Sequence, residues 1–510
     1  MPGAGEDAIL RSTRRLPVGV GAGGLGLRMS MLEHSQSGSS REGPSAGVQG
    51  AAEPSSDFSD MDGALAYLYS LVDLERLRPS PAVKDQYKLD RMRALARALG
   101  NPQDWIKTVH VAGTKGKGST CEMVGAMLEG CGYTVGSYTS PHVNDVRERI
   151  RINRQLISPG DFVRLAKTVV SAALQVEGVY GRGTFFELTT MMAFMHFAEQ
   201  AVDVAVIEVG LGGRLDCTNI ITPEVSAVAT IGYDHMEILG QTLELIAAQK
   251  GGIFKPGVPA LTVVQDAGVV KELRRVAGEI GAPLVVVGED VEFSYRLERA
   301  AGSRWPQMYV HMRTGRGEYD FVPVPMAGEH QAVNCGLALG IVDALCGRGF
   351  VCPMDRMIQS LATARLPGRF EVVGGSPAVV LDGAHNPESV RALVKTLVQY
   401  LRFDALVVVF GVAADKHIEP MLQALAGVAD KVVFTRAAGN KRSADPAVLQ
   451  KRYRAQGGRL SFVAPTVREA LEVARKGCGS GDAVCVTGSF YVVGEARAIL
   501  GERRGQVRRP

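Results

Sequence analysis

The chain has 510 residues, more than a single hydrophobic core usually supports, so we expect two or three domains. Apolar residues make up 46% of it, charged residues 22%, and the formal net charge is +4, a balance that gives no reason to expect a nucleic-acid partner. The eight cysteines form no Cys-x-x-Cys pair, and no apolar run reaches the ~18–20 residues of a membrane span, which argues against a zinc site, a disulfide framework and a membrane protein.

The first 56 residues are rich in glycine, serine and proline and have no hydrophobic periodicity, so we predict a disordered tail. Scattered arginines and serines also suit an organelle transit peptide, although Glu6 and Asp7 depart from the acid-poor composition of such peptides. Two alternatives stay open: a plain tail on a cytoplasmic protein, or a signal for the mitochondrion or plastid.

A glycine-rich loop follows a short β-branched strand predicted at 108–111, and a helical pattern then continues to Gly130. The loop consists of Gly113, Thr114, Lys115, Gly116, Lys117, Gly118, Ser119 and Thr120. Glycines let backbone N–H groups approach a phosphate, and a helix N-terminus adds partial positive charge. Lys117 can reach the β- and γ-phosphates while a hydroxyl holds Mg²⁺, so the loop is typical of a nucleoside triphosphate site. It differs from the standard P-loop because Gly118 separates the lysine from the hydroxyl residue.

Three further predicted strands, at 133–138, 203–208 and 225–231, end in or just before polar residues, among them Ser140, Glu208 and His235. The carboxyl ends of parallel strands form the ligand-binding edge of an open α/β sheet, so we expect these side chains near the loop. Burying Glu208 unpaired would cost several kcal/mol, and a metal ion or an arginine is the expected partner. Carboxylate, hydroxyl and imidazole ligands suit Mg²⁺ or Mn²⁺. The alternatives are a serine-capped turn and a structural histidine.

The next helical segment carries Lys250, which composition alone does not single out. Strands are predicted at 260–264 and 283–287, hairpins over 291–321, and an apolar helix from 328 to about 345.

Beyond the linker Arg365-Leu-Pro-Gly-Arg369, strands and helices alternate regularly. The strands are predicted at 379–382, 406–410, 431–435, 460–463 and 483–487. We therefore predict an α/β protein with two doubly wound domains, a P-loop ATPase-like domain at 57–364 and a smaller Rossmann-like domain at 365–500 with a mostly parallel sheet. A basic tail is predicted at 501–510.

These blocks, in this order, resemble the folate branch of the Mur ligase superfamily, the folylpolyglutamate and dihydrofolate synthases. The resemblance extends from about residue 60 to 495. It rests on the phosphate loop, residues 139–142, 208–216, 234–235, Lys250, the linker, residues 381–387 and residues 486–489.

The resemblance implies that residues 113–120 hold the triphosphate of ATP, with further contacts from Asn334, Arg369 and Asp382. It implies that Ser140, Glu208 and His235 coordinate Mg²⁺, and that Lys250 is carbamylated by CO₂ and binds a second Mg²⁺. His385 would lie beside the phosphates, and Lys117, Lys250 and His385 would be the catalytic residues.

The segments that resemble the family's pterin pocket are residues 184–187 and 215–217. They consist of Thr184, Phe185, Phe186, Glu187, Leu215, Asp216 and Cys217. The family usually has an alanine at the position of Cys217. The implied reaction adds L-glutamate to a pterin acid or folate through an acyl phosphate, in a protein that acts as a monomer.

We expect both dihydrofolate synthase and folylpolyglutamate synthase activity, because the linker and the segment around Arg442 resemble bacterial bifunctional enzymes. A monofunctional synthase of either kind is the alternative. A Mur-type ligase for another acid is disfavoured by residues 184–187. A P-loop NTPase switch would need a strand-end aspartate and no second nucleotide-contacting domain, and a non-catalytic nucleotide-binding protein would not need the metal ligands.

Overall fold

The computed structural model describes residues 56–72, 89–299, 305–373, 376–438, 440 and 442–506. The tail predicted at 1–56 therefore lies outside the described residues, apart from Ser56. Of the helices in the described ranges, none is long and apolar enough to cross a membrane.

An eight-stranded sheet forms the centre of the N-terminal part, in the order β4-β3-β2-β5-β1-β6-β7-β8. Its strands are β1 Thr108–Ala112, β2 Val135–Tyr138, β3 Ile150–Ile152, β4 Gln155–Leu156, β5 Val204–Glu208, β6 Val225–Val228, β7 Ala260–Val263 and β8 Leu284–Val287. The six strands from β2 to β8 in this order are parallel, and β3 and β4 extend one edge antiparallel. β1 and β5 are buried along their whole length, as expected for parallel strands covered on both faces.

Ten helices of the described part accompany this sheet. They are α1 Met61–Ser70, α2 Leu89–Ala98, α3 Lys117–Gly130, α4 Pro159–Tyr180, α5 Phe185–Glu199, α6 Met236–Leu239, α7 Leu243–Gly251, α8 Ala267–Ile280, α9 Glu329–Cys346 and α10 Met354–Leu361. Helices α3 and α9 share one apolar core on one face of the sheet, whereas α1, α2, α4 and α5 form a second core on the other. The head of α3 is thereby fixed at the carboxyl edge of the strands.

The hairpins predicted over 291–321 form a three-stranded antiparallel sheet. Its strands are β9 Glu292–Glu298, β10 Gln307–Arg313 and β11 Glu318–Pro323. One face of β10, with Met308, Val310 and Met312, packs into the core that α3 and α9 share. The alternation in the sequence thus predicted this sheet correctly.

A six-stranded sheet forms the centre of the C-terminal part, in the order β12-β13-β17-β14-β15-β16. Its strands are β12 Glu371–Val372, β13 Ala378–Leu381, β14 Leu406–Phe410, β15 Lys431–Phe434, β16 Leu460–Val463 and β17 Ala483–Thr487. All neighbours are parallel except β12 and β13. The flanking helices are α11 Pro387–Tyr400, α12 Ile418–Ala426, α13 Pro446–Ala455, α14 Val467–Arg475 and α15 Phe490–Gln506. The predicted fold class is confirmed.

Helix α15 continues through Gln506, six residues into the segment that the sequence predicts as a basic tail. Glutamate and arginine are good helix formers, and no proline between 501 and 506 ends the helix that β17 leads into, although Gly501 and Gly505 weaken it. Residues 507–510 lie outside the described residues. The domain boundary at 364/365 stays a prediction.

Candidate active site

The phosphate loop leaves β1 and is held by its neighbours before α3 begins. Gly113 and Gly116 have φ values of +148° and +89°, which favour glycine. The N–H groups of Thr114 and Lys115 donate to the carbonyl oxygen of Thr230, at 2.9 and 3.1 Å. Strand β6 ends at Val228, earlier than predicted, and the chain beyond it supplies this carbonyl instead of continuing the ladder.

Helix α3 begins at Lys117, with Gly116 as its N-cap. Because glycine has no side chain, the N-cap provides no acceptor, and the first N–H groups of the helix are available to an anion. A Cβ atom on Gly116 would lie 2.2 Å from Oδ1 of Asn334, which α9 places against the turn. Asn334 is buried and donates through Nδ2 to Gln331 at 3.0 Å. The predicted ATP-contacting asparagine therefore does lie at the loop.

The second predicted element of the site, Glu208, lies at the end of β5 beside the end of β1. Its side chain is only 4% exposed, with Oε1 3.9 Å from Nζ of Lys117 and Oε2 accepting from the Ser140 N–H at 3.1 Å. Lys117 also donates to the Gly113 carbonyl oxygen at 3.2 Å. The structure thus brings Lys117, Ser140 and Glu208 together, and the cation nearest to Glu208 among these contacts is a lysine rather than the arginine considered from sequence.

Lys250 reaches the same loop from α7. It is buried, and its Nζ donates to the Gly113 carbonyl oxygen at 2.9 Å. Burial, aided by the positive charge of Lys117, lowers the pKa of Lys250 to about 7. A large fraction of this amine is therefore uncharged near neutral pH, unlike that of a surface lysine.

His235 is the N-cap of α6 and has a left-handed backbone, with φ of +48°. Its Nε2 lies 3.7 Å from Oδ1 of Asp234. Burial lowers the pKa of His235 and the charges of Lys250 and Lys117 lower it further, although Asp234 opposes them. His235 therefore lies close enough to both lysines to interact electrostatically, while Ser140 and Glu208 are in direct contact with each other.

The donors at the head of α3 fit a Mg²⁺ ion. Thr120 lies in the first turns of the helix, and its buried hydroxyl has no hydrogen-bond partner among the described residues. A Cβ atom on residue 118 would lie 3.5 Å from Oε2 of Glu208. Because Gly118 has no such atom, the space beside this carboxylate stays open. A buried carboxylate and hydroxyl oxygens are the ligands that Mg²⁺ prefers in proteins.

The C-terminal part contributes Asp382 and His385, which follow β13. Asp382 accepts from the N–H groups of Phe370 and Ala384, at 2.8 and 2.9 Å. Burial raises the pKa of Asp382, and the charge of Arg369 opposes this rise. Nδ1 of His385 lies 2.8 Å from the Gly383 carbonyl oxygen, which can only accept, so Nδ1 carries the proton and Nε2 is the acceptor.

The two parts of the chain meet at this site. Lys115 of the phosphate loop pairs with Glu388 in the first turn of α11. Glu329, at the start of α9, accepts from Lys395 at 2.5 Å and from Gln399 at 3.2 Å, both on α11. These contacts hold the residues after β13 close to the phosphate loop.

Electrostatic interactions also cross between the two parts. Burial raises the pKa of Asp234, but the charges of His235, Lys416 and His385 outweigh it and lower that pKa overall. Asp234 thus lies close to His385 and Lys416, which belong to the C-terminal part. The guanidinium of Arg369 stacks 4.6 Å above the ring of Phe490.

Residues 184–187, expected at the pterin pocket, form the start of α5. Thr184 and Glu187 make a capping box, in which the Glu187 N–H donates to the Thr184 hydroxyl at 3.2 Å and Oε2 of Glu187 accepts from the Thr184 N–H at 2.8 Å. Arg91 donates to both carboxylate oxygens of Glu187, at 3.0 and 2.9 Å. Phe185 and Phe186 are buried in the core. These contacts give all four residues a structural role, and their contact with substrate stays a prediction.

Breaking the Arg91–Glu187 pair is expected to destabilise the fold by about 3–5 kcal/mol, because a carboxylate that is 7% exposed would lose its cation. We expect Arg91→Met to show this loss in urea unfolding. The matched control is Arg93→Met on the same helix, whose partner Asp90 is 3.7 Å away and 79% exposed, and which should cost less than about 1 kcal/mol. Equal losses in the free energy of unfolding of the two variants would show that the buried pair stabilises the fold no more than the exposed pair does.

Residues 215–217 are the second segment expected at the pterin pocket, and two of the three are buried. Asp216 accepts from the Leu211 N–H at 2.8 Å and from the Thr218 N–H at 3.0 Å. The Cys217 thiol lies 3.2 Å from the Thr190 hydroxyl in the core. Leu215 is 47% exposed and is the residue of this segment most accessible to a ligand.

Acid is expected to destabilise the fold through His110, which is buried on β1 with Nε2 2.9 Å from the Thr218 hydroxyl. Burial, helped by the charge of Lys255, lowers the pKa of His110 from 6.5 to about 3. Between these values the unfolded chain binds a proton that the native protein does not, so stability falls as pH falls, by up to about 1.4 kcal/mol per pH unit. In His110→Gln the free energy of unfolding should fall less between pH 6.5 and about pH 5. Identical pH dependence in the two proteins would contradict this assignment.

Thr230, Glu388 and Lys416 also belong to the site, although no sequence pattern points to them. Thr230 acts through its carbonyl oxygen, which leaves no signal in the side chain. Glu388 follows Pro387 in the first turn of a predicted helix, where an acidic residue is ordinary, and its partner is 273 residues away in the chain.

Comparison with known proteins gives consistent results for both parts of the chain. Residues 111–342 match the family described as Mur ligase middle domain, and residues 368–490 match Mur ligase, glutamate ligase domain. The chain is 34% identical over 417 residues to a Bacillus subtilis protein named dihydrofolate synthase/folylpolyglutamate synthase, covering 81% of this chain and 94% of the relative. A Mycobacterium tuberculosis protein of the same name is 34% identical over 466 residues, covering 85% and 94%.

Solved structures agree with the sequence relatives. Mycobacterium tuberculosis folylpolyglutamate synthase, complexed with ADP and AMPPCP, superposes with a TM-score of 0.74 at 32% identity, covering 81% of this chain and 95% of that structure. E. coli FolC, in complex with DHPP and ADP, gives a TM-score of 0.74 at 29% identity, covering 88% of this chain and 99% of that structure.

Proposed function

The chain belongs to the folylpolyglutamate synthase/dihydrofolate synthase family of Mur ligases, and on that basis we propose that it is an ATP-dependent ligase that joins L-glutamate to the carboxylate of a pterin acid or folate. The observation that carries this proposal is the cluster of Lys117, Glu208 and Ser140 at the head of α3, where the residues after β13 meet the phosphate loop. Such a site surrounds one triphosphate with groups from both parts of the chain. Its substrates are small molecules.

The reaction needs an activated carboxylate, because a free carboxylate is a poor acyl donor. A carboxylate oxygen of the pterin acid attacks the γ-phosphorus of ATP, ADP leaves, and an acyl phosphate forms. The α-amine of glutamate then attacks the acyl carbon, and inorganic phosphate leaves. Positioning and charge neutralisation supply most of the catalysis in phosphoryl transfer, and Lys117 with the first N–H groups of α3 supplies them here.

The attacking amine must lose protons, because glutamate is an ammonium ion near neutral pH. Burial lowers the pKa of His385, so its imidazole is neutral, and its acceptor atom is Nε2. A neutral imidazole near the phosphates is suited to take a proton from the attacking group. We propose this role for His385, while Arg369 and Asp382 contact the nucleotide.

We propose Ser140, Glu208 and His235 as ligands of one Mg²⁺, with the Thr120 hydroxyl beside them. A second Mg²⁺ would be held by Lys250 after its amine adds to CO₂, which gives a carbamate and releases a proton. The pKa of about 7 supports this step, because only the uncharged amine is nucleophilic. Bound Mg²⁺ supplies neutralisation of the phosphate charges and polarises the transferred phosphoryl group.

The split site predicts movement between the two parts. Phosphate-loop residues and the residues after β13 contact one nucleotide from different sheets, so we propose that they close around ATP. Closure would exclude water, which otherwise hydrolyses an acyl phosphate. The ion pairs Lys115–Glu388 and Lys395–Glu329 join the two parts of the chain, so such a movement would change the distances within these pairs.

We propose that the chain carries both activities, since the named relatives in Bacillus subtilis and Mycobacterium tuberculosis bear both names. The test is mass spectrometry of purified protein incubated with ATP, Mg²⁺, bicarbonate and glutamate, in parallel with dihydropteroate and with tetrahydrofolate. Products heavier by one glutamate residue from both acids support the bifunctional proposal, and product from one acid assigns the single activity. ATP consumption without either product would exclude folate substrates.

We further propose that the protein acts as a monomer in the cytoplasm, or in the mitochondrion or plastid if residues 1–56 serve as a transit peptide. Light scattering after size-exclusion chromatography tests the oligomeric state. Fusion of residues 1–56 to a fluorescent protein tests targeting: fluorescence spread through the cytoplasm would exclude the transit peptide.

A further inference from the structure

Three of the eight cysteines lie together, far from the phosphate loop. Cys131 directly follows α3, Cys346 is the last residue of α9, and Cys352 lies just before α10. The Cys352 thiol lies close enough to the thiols of Cys131 and Cys346 to affect the pKa of each of them. Helix α3 has 14 residues, so this group lies about 20 Å from the head of the helix, where ATP would bind.

Contacts outside the thiols hold the two segments side by side. The Val351 N–H donates to the Tyr133 hydroxyl at 2.7 Å, and the rings of Tyr133 and Phe350 are 5.3 Å apart. The Phe350 N–H donates to the Leu345 carbonyl oxygen at 3.1 Å, which folds the segment back onto the end of α9. Residues 131–133 and 350–352 are therefore fixed next to each other by the fold itself.

These three cysteines are also accessible to solvent, as is Cys478. All three are partly exposed, whereas Cys121, Cys217, Cys335 and Cys485 are buried. Interaction with the Cys352 thiol lowers the pKa of Cys131, and the charge of Arg356 lowers it further, although burial opposes both. The same interaction raises the pKa of Cys352. Cys131 is therefore the thiol of the pair that loses its proton more readily, and Cys352 is the neighbouring protonated thiol.

We propose that Cys131 and Cys352 form a reversible disulfide when the protein meets a hydroperoxide. The Cys131 thiolate attacks one peroxide oxygen, the O–O bond breaks, and Cys131 becomes a sulfenic acid as hydroxide (or alkoxide) leaves. The Cys352 sulfur then attacks the Cys131 sulfur, the S–O bond breaks, and the hydroxyl leaves as water with the Cys352 proton. A dithiol reductant restores both thiols.

A soft-metal site is the other use of three thiols. Within the described part of the chain, the group of three donors that lie within 4.8 Å of one another is His311, Glu318 and Asp320 on the small sheet, and it does not include these cysteines. The arrangement of one central thiol with a neighbour on each side suits pairwise oxidation better than a shared ion.

The test is peptide mapping of the full-length protein after treatment with hydrogen peroxide and alkylation of the remaining thiols. We expect one linked pair of peptides, containing Cys131 and Cys352, that has lost two hydrogen masses and separates on treatment with dithiothreitol. The link should disappear in Cys131→Ser and Cys352→Ser. It should persist in Cys478→Ser, the matched control, whose thiol is partly exposed but donates to the Ala474 carbonyl oxygen at 3.0 Å.

Three results would overturn the proposal. Cys131 and Cys352 could both stay alkylatable at peroxide concentrations that oxidise Cys478. Cys131 could pass to the sulfinic acid without a link, or Cys352 could link to Cys346 instead. Mapping of the wild-type protein alone distinguishes these outcomes, so the test does not depend on the folding of any variant.

Discussion

Replacement of Lys117 by methionine is expected to lower kcat by about 10²–10³-fold, the usual effect of removing one group that stabilises transition-state charge. Lys117 lies at the start of α3, and its ammonium group is 3.2 Å from the Gly113 carbonyl oxygen and 3.9 Å from Glu208. A bound triphosphate would bring several negative charges to the same place, and negative charge shifts onto the leaving oxygen between the β- and γ-phosphorus during phosphoryl transfer. Methionine keeps the volume of the side chain and removes only its charge and donors.

The measurement is steady-state formation of the glutamate adduct with saturating ATP, acid and glutamate. The control is Lys271→Met, a lysine on the exposed face of α8, which should leave kcat unchanged. Urea unfolding of both variants separates chemistry from stability, because Lys117 also neighbours the buried Glu208 carboxylate. A Lys117→Met enzyme that folds and keeps more than about a tenth of the wild-type kcat would contradict the proposed role.

The sequence patterns predicted the sheets well because the strands that build them are short apolar runs. β1, β5, β14 and β17 are buried on both faces, and such runs between helical patterns are typical of parallel sheets. Helix α4 was not predicted, although Ser158 and Pro159 mark its start as an N-cap and a first-turn proline. Capping signals at the start of a helix thus carry information that apolar runs alone do not.

The site was predictable where it depends on strand ends and unpredictable where it depends on distant contacts. The rule that ligands bind at the carboxyl edge of an open sheet placed Ser140 and Glu208 correctly beside the loop. The same rule does not predict that Thr230 holds the loop through its carbonyl oxygen, or that Glu388 forms an ion pair with Lys115. The first contact joins the ends of two neighbouring strands, and the second joins residues 273 positions apart in the chain, so neither leaves a signal in the local sequence.

Residues 184–187 show how one pattern supports two interpretations. Thr184 followed three positions later by Glu187 is the capping-box pattern, and the structure has that box together with the Arg91 pair. The resemblance to the family assigns the same residues to the pterin pocket. A carboxylate that is engaged by a cap and an arginine can still shape a pocket by fixing the start of α5, and its direct contact with substrate stays a prediction.

Replacement of Lys250 by methionine is expected to lower kcat about 10²-fold, because it would remove the proposed metal-binding carbamate and with it about 3 kcal/mol of charge stabilisation. Two measurements distinguish the carbamate from a plain lysine. Wild-type activity should fall in CO₂-depleted buffer and return on addition of bicarbonate, and Lys250→Met should respond to neither. The matched control is Lys255→Met, just beyond the same helix, whose ammonium group donates to Asn219 at 2.7 Å and which should keep both the activity and the bicarbonate response.

Stability should move in the opposite direction from activity in Lys250→Met. The fold lowers the pKa of Lys250 from 10.5 to about 7, so the protonated amine opposes folding. Between pH 7 and 10.5 the unfolded chain binds more protons than the native protein, and the stability of the wild type therefore rises with pH across this window. The methionine variant has no such group, so in CO₂-depleted buffer, where Lys250 is a free amine, the variant should unfold at pH 7 or below at a temperature no lower than that of the wild type. An inactive variant that is also less stable would attribute the loss to misfolding, and wild-type activity indifferent to CO₂ would exclude the carbamate.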